Sequence, residues 1–301
     1  MTNFQTPTTA GSRTPPILDG AGPLLASYDV VFCDVWGVVH DGHTAYRSAC
    51  DALERFRATG GTVVLVSNAP VPNDAVARML DSRRVPRSAY DAIVSSGDIA
   101  LAHVAERGYR RAHLIGPADR DSALFGRLSA KAASLGDAEA IVCSGLTHDD
   151  VETGESYRPL LETARARDLP FVCANPDLVV DVGGRLYLCA GTIAAIYEDI
   201  GGRVFWAGKP YAAAYDAATS CAEACREATV DRRRVLAIGD ALRTDLAGAA
   251  NAGIDALFIG SGIHRHDSMT GAALDPEKLA ALFAPAGSPP AVGAMAVLAW
   301  S

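Results

Sequence analysis

The stretch FCDVWGVVHDG, residues 32–42, holds the residues with the clearest chemical potential. An apolar run ends on Asp34, and Trp36 and Gly37 follow it. A carboxylate on a turn just after a strand is placed to act as a nucleophile or a metal ligand. Three further runs end in the same way. VLVSNAP offers Ser67 and Asn68, AGKP offers Lys209, and GDALRTDLAGA offers Asp240 and Asp245. Each is weak alone: a Ser-Asn pair usually begins a turn or caps a helix, and a Lys before Pro is usually solvated. Together, in this order at four predicted strand ends, they suit phosphoryl transfer through an aspartyl-phosphate. A carboxylate attacking a phosphate monoester meets charge repulsion, which a divalent cation held by hard oxygen ligands relieves. Asp34 would be both nucleophile and metal ligand, and Asp240 would complete the metal site, with Asp245 as a direct or supporting partner. Ser67 and nearby N–H groups would hold the transferring phosphoryl oxygens, and Lys209 would offset charge on nucleophile and phosphoryl group.

These residues need strands to position them. Apolar runs without polar alternation, which fit strands buried on both faces, are VVFCDV (30–35), TVVLVSN (62–68), DAIVSS (91–96), RAHLIG (111–116), AIVCSG (140–145), PFVCAN (170–175), RVFWAG (203–208), VLAIGD (235–240) and DALFIG (255–260). Helical patterns over 47–59 and 73–82 follow the first two. Strands alternating with helices predict parallel sheets with right-handed crossovers, whose ligands bind at the carboxyl ends of the strands. There are more strands than one sheet needs, so two α/β domains are expected. The first sixteen residues and APAGSPPAVG (284–293) are expected to be poorly ordered or loosely draped. AMAVLAW (294–300) is apolar enough to dock on the body, with Trp300 as a packing residue.

Bulk properties narrow the function. A net charge of −8 argues against non-specific nucleic-acid binding, and no apolar run reaches the roughly 18–20 residues that cross a bilayer. The start lacks the apolar region of a signal peptide. Seven cysteines lie at scattered positions, several within apolar strands. That usage predicts free thiols and a cytoplasmic setting. Cys221 and Cys225, at i, i+4 spacing, are expected to pack on a helix.

The segments DVWGVVHDG, VLVSNAP, ANPD, GKP and GDALRTDLAGA, in this order over about residues 25–262, resemble the motifs of the haloacid dehalogenase (HAD) superfamily of phosphatases, in particular class IIA, the NagD-like group. The resemblance implies an α/β fold: a doubly wound, parallel-sheet, Rossmann-like core at 17–88 and 205–301, an α/β cap inserted at 89–204, and a flexible segment at 1–16. It implies Asp34 as nucleophile, Ser67 as the phosphate-binding hydroxyl and Lys209 as the third-motif lysine. Asp34, Asp240, Asp245 and the backbone carbonyl of Trp36 would hold Mg²⁺. Asn68 of the second motif would lie at the substrate, and Asn175 and Asp177 of the cap would approach the leaving group. Asn175-Pro176-Asp177 is also a good plain turn. The implied activity is hydrolysis of the phosphate monoester of a small metabolite, such as a sugar phosphate, a glycerol-type phosphate or a nucleotide. Caps of this class often take part in homodimers.

Three positions depart from the class. Ala69 stands where the second motif commonly carries Asn. Arg243 stands where the fourth often carries an acid, and is expected to be a solvated helix residue. Trp36 replaces the Asp that protonates the leaving oxygen and then activates water, work worth about 10²- to 10⁴-fold in rate. An indole N–H donates but does not titrate usefully. Either another residue supplies the proton, with His40 and Asp41 nearest in sequence; or the enzyme is slow, takes substrates with good leaving groups, or transfers its phosphoryl group elsewhere; or the protein only binds a phosphorylated ligand. Dehalogenases carry an aromatic residue here too, but lack the paired acids present at Asp240 and Asp245. Trp36 is expected to pack its ring under the flap or against the cap and keep water from the site.

Overall fold

Val30, Val31, Phe32 and Cys33 are all buried, because their strand has sheet neighbours on both sides and helices on both faces. The computed structural model describes residues 14–182 and 185–301. Val30–Cys33 is paired in parallel with Thr62–Ser67 on one side and Val235–Gly239 on the other. Ala92–Ser95 extends the sheet beyond the first neighbour; Asp255–Ile259 and Gly293–Met295 extend it beyond the second. Successive side chains alternate between two cores. Val31 and Cys33 face a cluster with Leu53, Phe56 and Leu80 from the helices Arg47–Ala58 and Asn73–Ser82. Val30 and Phe32 face Tyr215, Ala218 and Leu279 from the helices Ala212–Arg226 and Pro276–Phe283. The strand order reverses between Val30–Cys33 and Val235–Gly239. This is the topological switch point at which such sheets bind ligands.

The second domain has its own parallel sheet, ordered Val204–Trp206, Phe171–Cys173, Ala140–Cys143, Arg111–Ile115, Lys131–Ala132. It carries the same two-faced core: Ile141, Phe171 and Tyr197 on one face, Val142, Val172 and Val104 on the other. An antiparallel pair, Val179–Val182 with Arg185–Leu188, projects from it.

The two-domain α/β architecture is the expected one, with boundaries displaced. Ala92–Ser95, expected in the cap at 89–204, pairs with Thr62–Ser67 in the core sheet. Phe205 and Trp206, expected in the core at 205–301, pair with Val172 and Cys173 in the cap sheet. Buried parallel strands of either sheet have the same apolar pattern, so pattern alone does not say which sheet a strand joins. The expectation for 284–293 also needs correcting at its end. Val292 N donates to Ala256 O at 2.8 Å, and Gly293–Met295 forms the edge strand. Pro16 O accepts from Ala294 N at 2.8 Å, so the last residue of the presumed flexible segment is tied to that edge; residues 1–13 lie outside the described residues. Leu298 is fully buried and Trp300 packs on the core, as expected.

Candidate active site

Asp34 follows Val30–Cys33 directly, and its N–H donates to Ile238 O at 2.8 Å, across the switch point. Asp240 follows Val235–Gly239, and Asp245 sits on one turn of π-helix, Leu242–Leu246. Such wide turns are uncommon and gather at functional sites. Carboxylate oxygens of Asp34, Asp240 and Asp245 all lie within 4.8 Å of one another. Lys209 Nζ stands among them, 2.5 Å from Asp34 Oδ1 and 2.6 Å from Asp245 Oδ1. Asp240 Oδ2 accepts from Ile263 N at 2.6 Å, and Asp245 Oδ2 from Ala241 N at 3.1 Å. Gly37 has φ +83°, and a Cβ there would stand 2.3 Å from Asp240 Oδ2. The turn therefore needs glycine both for its left-handed backbone and for room.

Three buried carboxylates surround one ammonium, which leaves two negative charges uncompensated. Burial pushes the Asp34 carboxyl up to about 7, with Asp245 adding to the rise and Lys209 opposing it. Burial also raises Asp240 well above the usual carboxylate range, with repulsion from Asp34 and Asp245 next. Burial alone would deprotonate Lys209, but Asp245 and Asp34 outweigh it and hold the ammonium charged. This cluster of hard oxygen donors, short of positive charge, fits a divalent cation.

Asn68 links this centre to the cap. Its Oδ1 accepts from Lys209 N at 2.8 Å, and its Nδ2 donates to Lys209 O at 3.1 Å and to Asp177 Oδ1 at 2.9 Å. Ser67 Oγ accepts from Ala69 N at 3.2 Å. Asn175 Oδ1 accepts from Asp177 N at 3.1 Å, so the Asn-Pro-Asp segment is a turn as well as a part of the site. Arg243, expected in solvent, is exposed but donates to Pro176 O at 3.2 Å and braces that turn from the core. A cavity of about 780 Å³ lies between core and cap, within the range of small-molecule sites. Asp34, Trp36, Ser67, Asn68, Asn175, Asp177, Lys209, Asp240 and Asp245 all line it.

His40 does not join them, which corrects its expected role as replacement acid. It is fully buried and is absent from the cavity wall. Its Nδ1 accepts from Gly42 N at 2.9 Å, which places the proton on Nε2, and Nε2 has no partner among the described residues. Burial, with Arg83 second, pushes its pKa down to about 4. The ring is a neutral prop for the loop, set edge-on to Trp36 with centroids 5.0 Å apart. Because the folded value lies below the ordinary 6.5, the stability His40 contributes is whole above pH 6.5 and is lost as the pH falls towards 4. Wild type should lose roughly 3 kcal/mol through this group over that window. His40→Asn, which keeps an acceptor for Gly42, should not; thermal melts from pH 7 to 4 check this. Asp41 lines the cavity, but its Oδ1 accepts from Thr44 N at 2.7 Å and His43 N at 2.8 Å. Those bonds hold the carboxyl below its usual range, so it is a poor acid.

Trp36 is half-buried, and its Nε1 donates to Asp181 O at 3.0 Å on the projecting cap hairpin. The expected packing of the indole against the cap is observed. Trp36→Phe removes this bond, worth about 1 kcal/mol. KM for a phosphate ester should rise roughly fivefold with kcat little changed, and proteolytic nicking near Val182 should accelerate. Steady-state kinetics and limited digestion read both.

The sequence reading missed two parts of the wall. One is the hairpin itself, whose Val180, Tyr187 and Leu188 line the cavity. Its signal was present as two strand-like runs about a Gly-Gly pair in VVDVGGRLYL. The other is Arg120, Asp121, Ser144 and Asp149 of the cap. Arg120 pairs with Asp149 at 2.5 Å and with Asp121 at 3.4 Å. No sequence spacing marks these as neighbours.

Comparison with known proteins agrees with this geometry. Residues 31–125 match the family model of haloacid dehalogenase-like hydrolases, and residues 206–285 match a second, HAD-hydrolase-like model. The crystal structure of a haloacid dehalogenase-like family hydrolase from Brucella suis 1330 is 42% identical, with TM-score 0.80 over 94% of this chain and 99% of that one. Ribonucleotide monophosphatase NagD of Escherichia coli (strain K12) is 27% identical over 250 residues, 79% of this chain and 90% of that protein. The structure of 4-nitrophenylphosphatase from Thermotoga maritima shares the fold at 21% identity, with TM-score 0.68 over 92% of this chain and 97% of that one.

Proposed function

The chain belongs to the haloacid dehalogenase-like hydrolases, in their NagD-like class, and from that membership we propose that it hydrolyses phosphate monoesters of a small metabolite with Mg²⁺. One observation carries the reading: Asp34 stands at the switch point within 4.8 Å of two further acids and in contact with Lys209. Asp34, Asp240, Asp245 and the Trp36 carbonyl would hold the cation, which when bound would neutralise charge on the phosphoryl oxygens. Asp34 attacks phosphorus, the P–O bond to the leaving group breaks, and Asp34 becomes the aspartyl-phosphate. Ser67 and the N–H groups after it hold the phosphoryl oxygens. Lys209 stays protonated and offsets charge on Asp34 and on the phosphoryl group as that group passes from the ester to Asp34. Asn68 fixes the Lys209 backbone and the cap's Asp177 at once. The hairpin tied to Trp36 excludes water and limits the leaving group to what a cavity of about 780 Å³ admits.

The relatives named for phosphatase activity support hydrolysis of small phosphate esters. Seven free cysteines support a cytoplasmic setting, and no helix among the described residues is long and apolar enough to cross a membrane. A homodimer, as caps of this class often form, would be read by light scattering. Trp36 favours one second reading: an enzyme that stalls after phosphorylation, passes its phosphoryl group to another acceptor, or only binds its ligand. A panel of phosphate esters assayed with Mg²⁺ and with a chelator decides. Metal-dependent phosphate release supports hydrolysis. A phosphoryl group trapped on Asp34, or no release at all, moves the assignment to the second reading.

A further inference from the structure

Given the phosphatase reading, on which this rests, we infer that Asp177 of the cap performs the proton transfers that the residue at position 36 cannot. The inference follows first from what else faces the cavity. Trp36 spends its only proton on Asp181 O, His40 is buried away from the wall, and Asp41 is engaged as the acceptor of a turn. His43 and His266 line the cavity but are exposed to solvent.

Asp177 is held differently. One oxygen, Oδ1, accepts from Asn68 Nδ2 at 2.9 Å, and Asn68 is locked to both backbone atoms of Lys209, whose Nζ touches Asp34. The carboxyl is thus referenced to the nucleophile through a short chain of bonds, while Oδ2 accepts no hydrogen bond among the described residues. The backbone beneath it is fixed as well. Gly191 N donates to Asp177 O at 3.2 Å, and a Cβ at Gly191 would lie 2.4 Å from that oxygen. The charged groups facing Asp177 are Lys209 and Arg243, which favour its ionised form, and Asp245, which opposes it; Cys173 and Cys189 face it as thiols that burial, with Asp177 adding to it, holds neutral. Burial is the largest influence and raises the carboxyl above its usual range, which favours a proton available for donation.

In the first half-reaction the Asp34 carboxylate forms a bond to phosphorus and the P–O bond to the leaving group breaks. The Asp177 carboxylic acid gives its proton to that oxygen, so the product leaves as an alcohol. In the second, water attacks phosphorus, the Asp177 carboxylate takes a proton from it, and the bond from Asp34 to phosphorus breaks. Inorganic phosphate leaves, and both residues return to their starting states.

The test compares an alkyl ester, glycerol phosphate, with p-nitrophenyl phosphate, whose phenolate leaves without a proton. In Asp177→Asn, kcat/KM for the alkyl ester should fall by about 10²- to 10³-fold, while kcat/KM for the aryl ester stays within about fivefold of wild type. Nitrophenol should then appear as a burst equal to the enzyme concentration, with the phosphoryl group retained on Asp34 by intact mass. Asp177→Glu should recover part of the alkyl activity. Equal losses of kcat/KM on both esters, without a burst, would mean a structural role and overturn the inference while leaving the phosphatase reading intact. Wild type that releases nothing from either ester would overturn both. If Asp177→Asn does not fold, wild type still decides: kcat/KM for the alkyl ester alone should decline at high pH, and identical profiles for the two esters would refute the assignment.

Discussion

Exchange of Asp34 for Asn will lower phosphate release by at least ~10³-fold, the scale of removing a covalent nucleophile, and intact mass will show no phosphoryl adduct. An amide oxygen is a poor nucleophile, and the variant also gives a cation one charge fewer to bind. The fold should survive, because Lys209 keeps its 2.6 Å contact with Asp245. Stability should even rise at neutral pH. In the metal-free protein the folded pKa of Asp34 is pushed up to about 7 from 3.8, so its ionised form is penalised in the folded state. That penalty is absent below pH 3.8, grows through the window up to 7, and is complete above it. The melting temperature of Asp34→Asn relative to wild type, both in chelator, should therefore climb across that window and then level off. A site that gains stability when its nucleophile is neutralised is one whose geometry serves chemistry rather than packing. Retained turnover in Asp34→Asn would place the nucleophile elsewhere.

The residues of that site could be read from sequence because each ends a strand. Asp34, Ser67, Lys209 and Asp240 follow apolar runs long enough to be buried parallel strands, and the carboxyl ends of such strands meet at one edge. No alignment of distant parts was needed to gather them. What the sequence hid depends on contacts without a local signature. His40 looks like a loop histidine near neutral pH, and only the fold shows it turned under the loop with its pKa near 4. Trp36 meets a carbonyl 145 positions away, and Arg120 meets Asp149 across the end of the cap sheet. The assignment of Ala92–Ser95 to the cap failed for a related reason: its residues suit either sheet, and its partner Thr62–Ser67 is chosen by tertiary packing. Positions set by a single element were legible, whereas at the meeting of the two domains only those within a motif, Trp36, Asn175 and Asp177, were.

Lys209→Met should produce the second large effect, and in two observables at once. The ammonium is nearly inaccessible, with a side-chain exposure of 5%, and touches two carboxylates that are themselves 11% and 5% exposed. Removing it leaves Asp34 and Asp245 buried and facing each other, the situation that typically costs about 3–5 kcal/mol. Metal-free Lys209→Met should accordingly melt on the order of 10 °C below wild type at pH 8. The deficit should shrink as the pH is lowered, because Asp34, whose folded pKa is raised, loses its penalty on taking up a proton. It should shrink again, at constant pH, on adding Mg²⁺, which would supply the missing positive charge by binding the folded state. Turnover should not recover with stability. The cation would then be compensating for the absent ammonium, while transferred charge on the phosphoryl group goes unmatched, a loss of about 10²- to 10³-fold. Melts at pH 5 and 8 with and without Mg²⁺, beside kcat at saturating Mg²⁺, separate the two roles. If the variant melts with wild type in chelator at pH 8, then Lys209 is not neutralising the trio, and the charge argument for a divalent cation loses its basis.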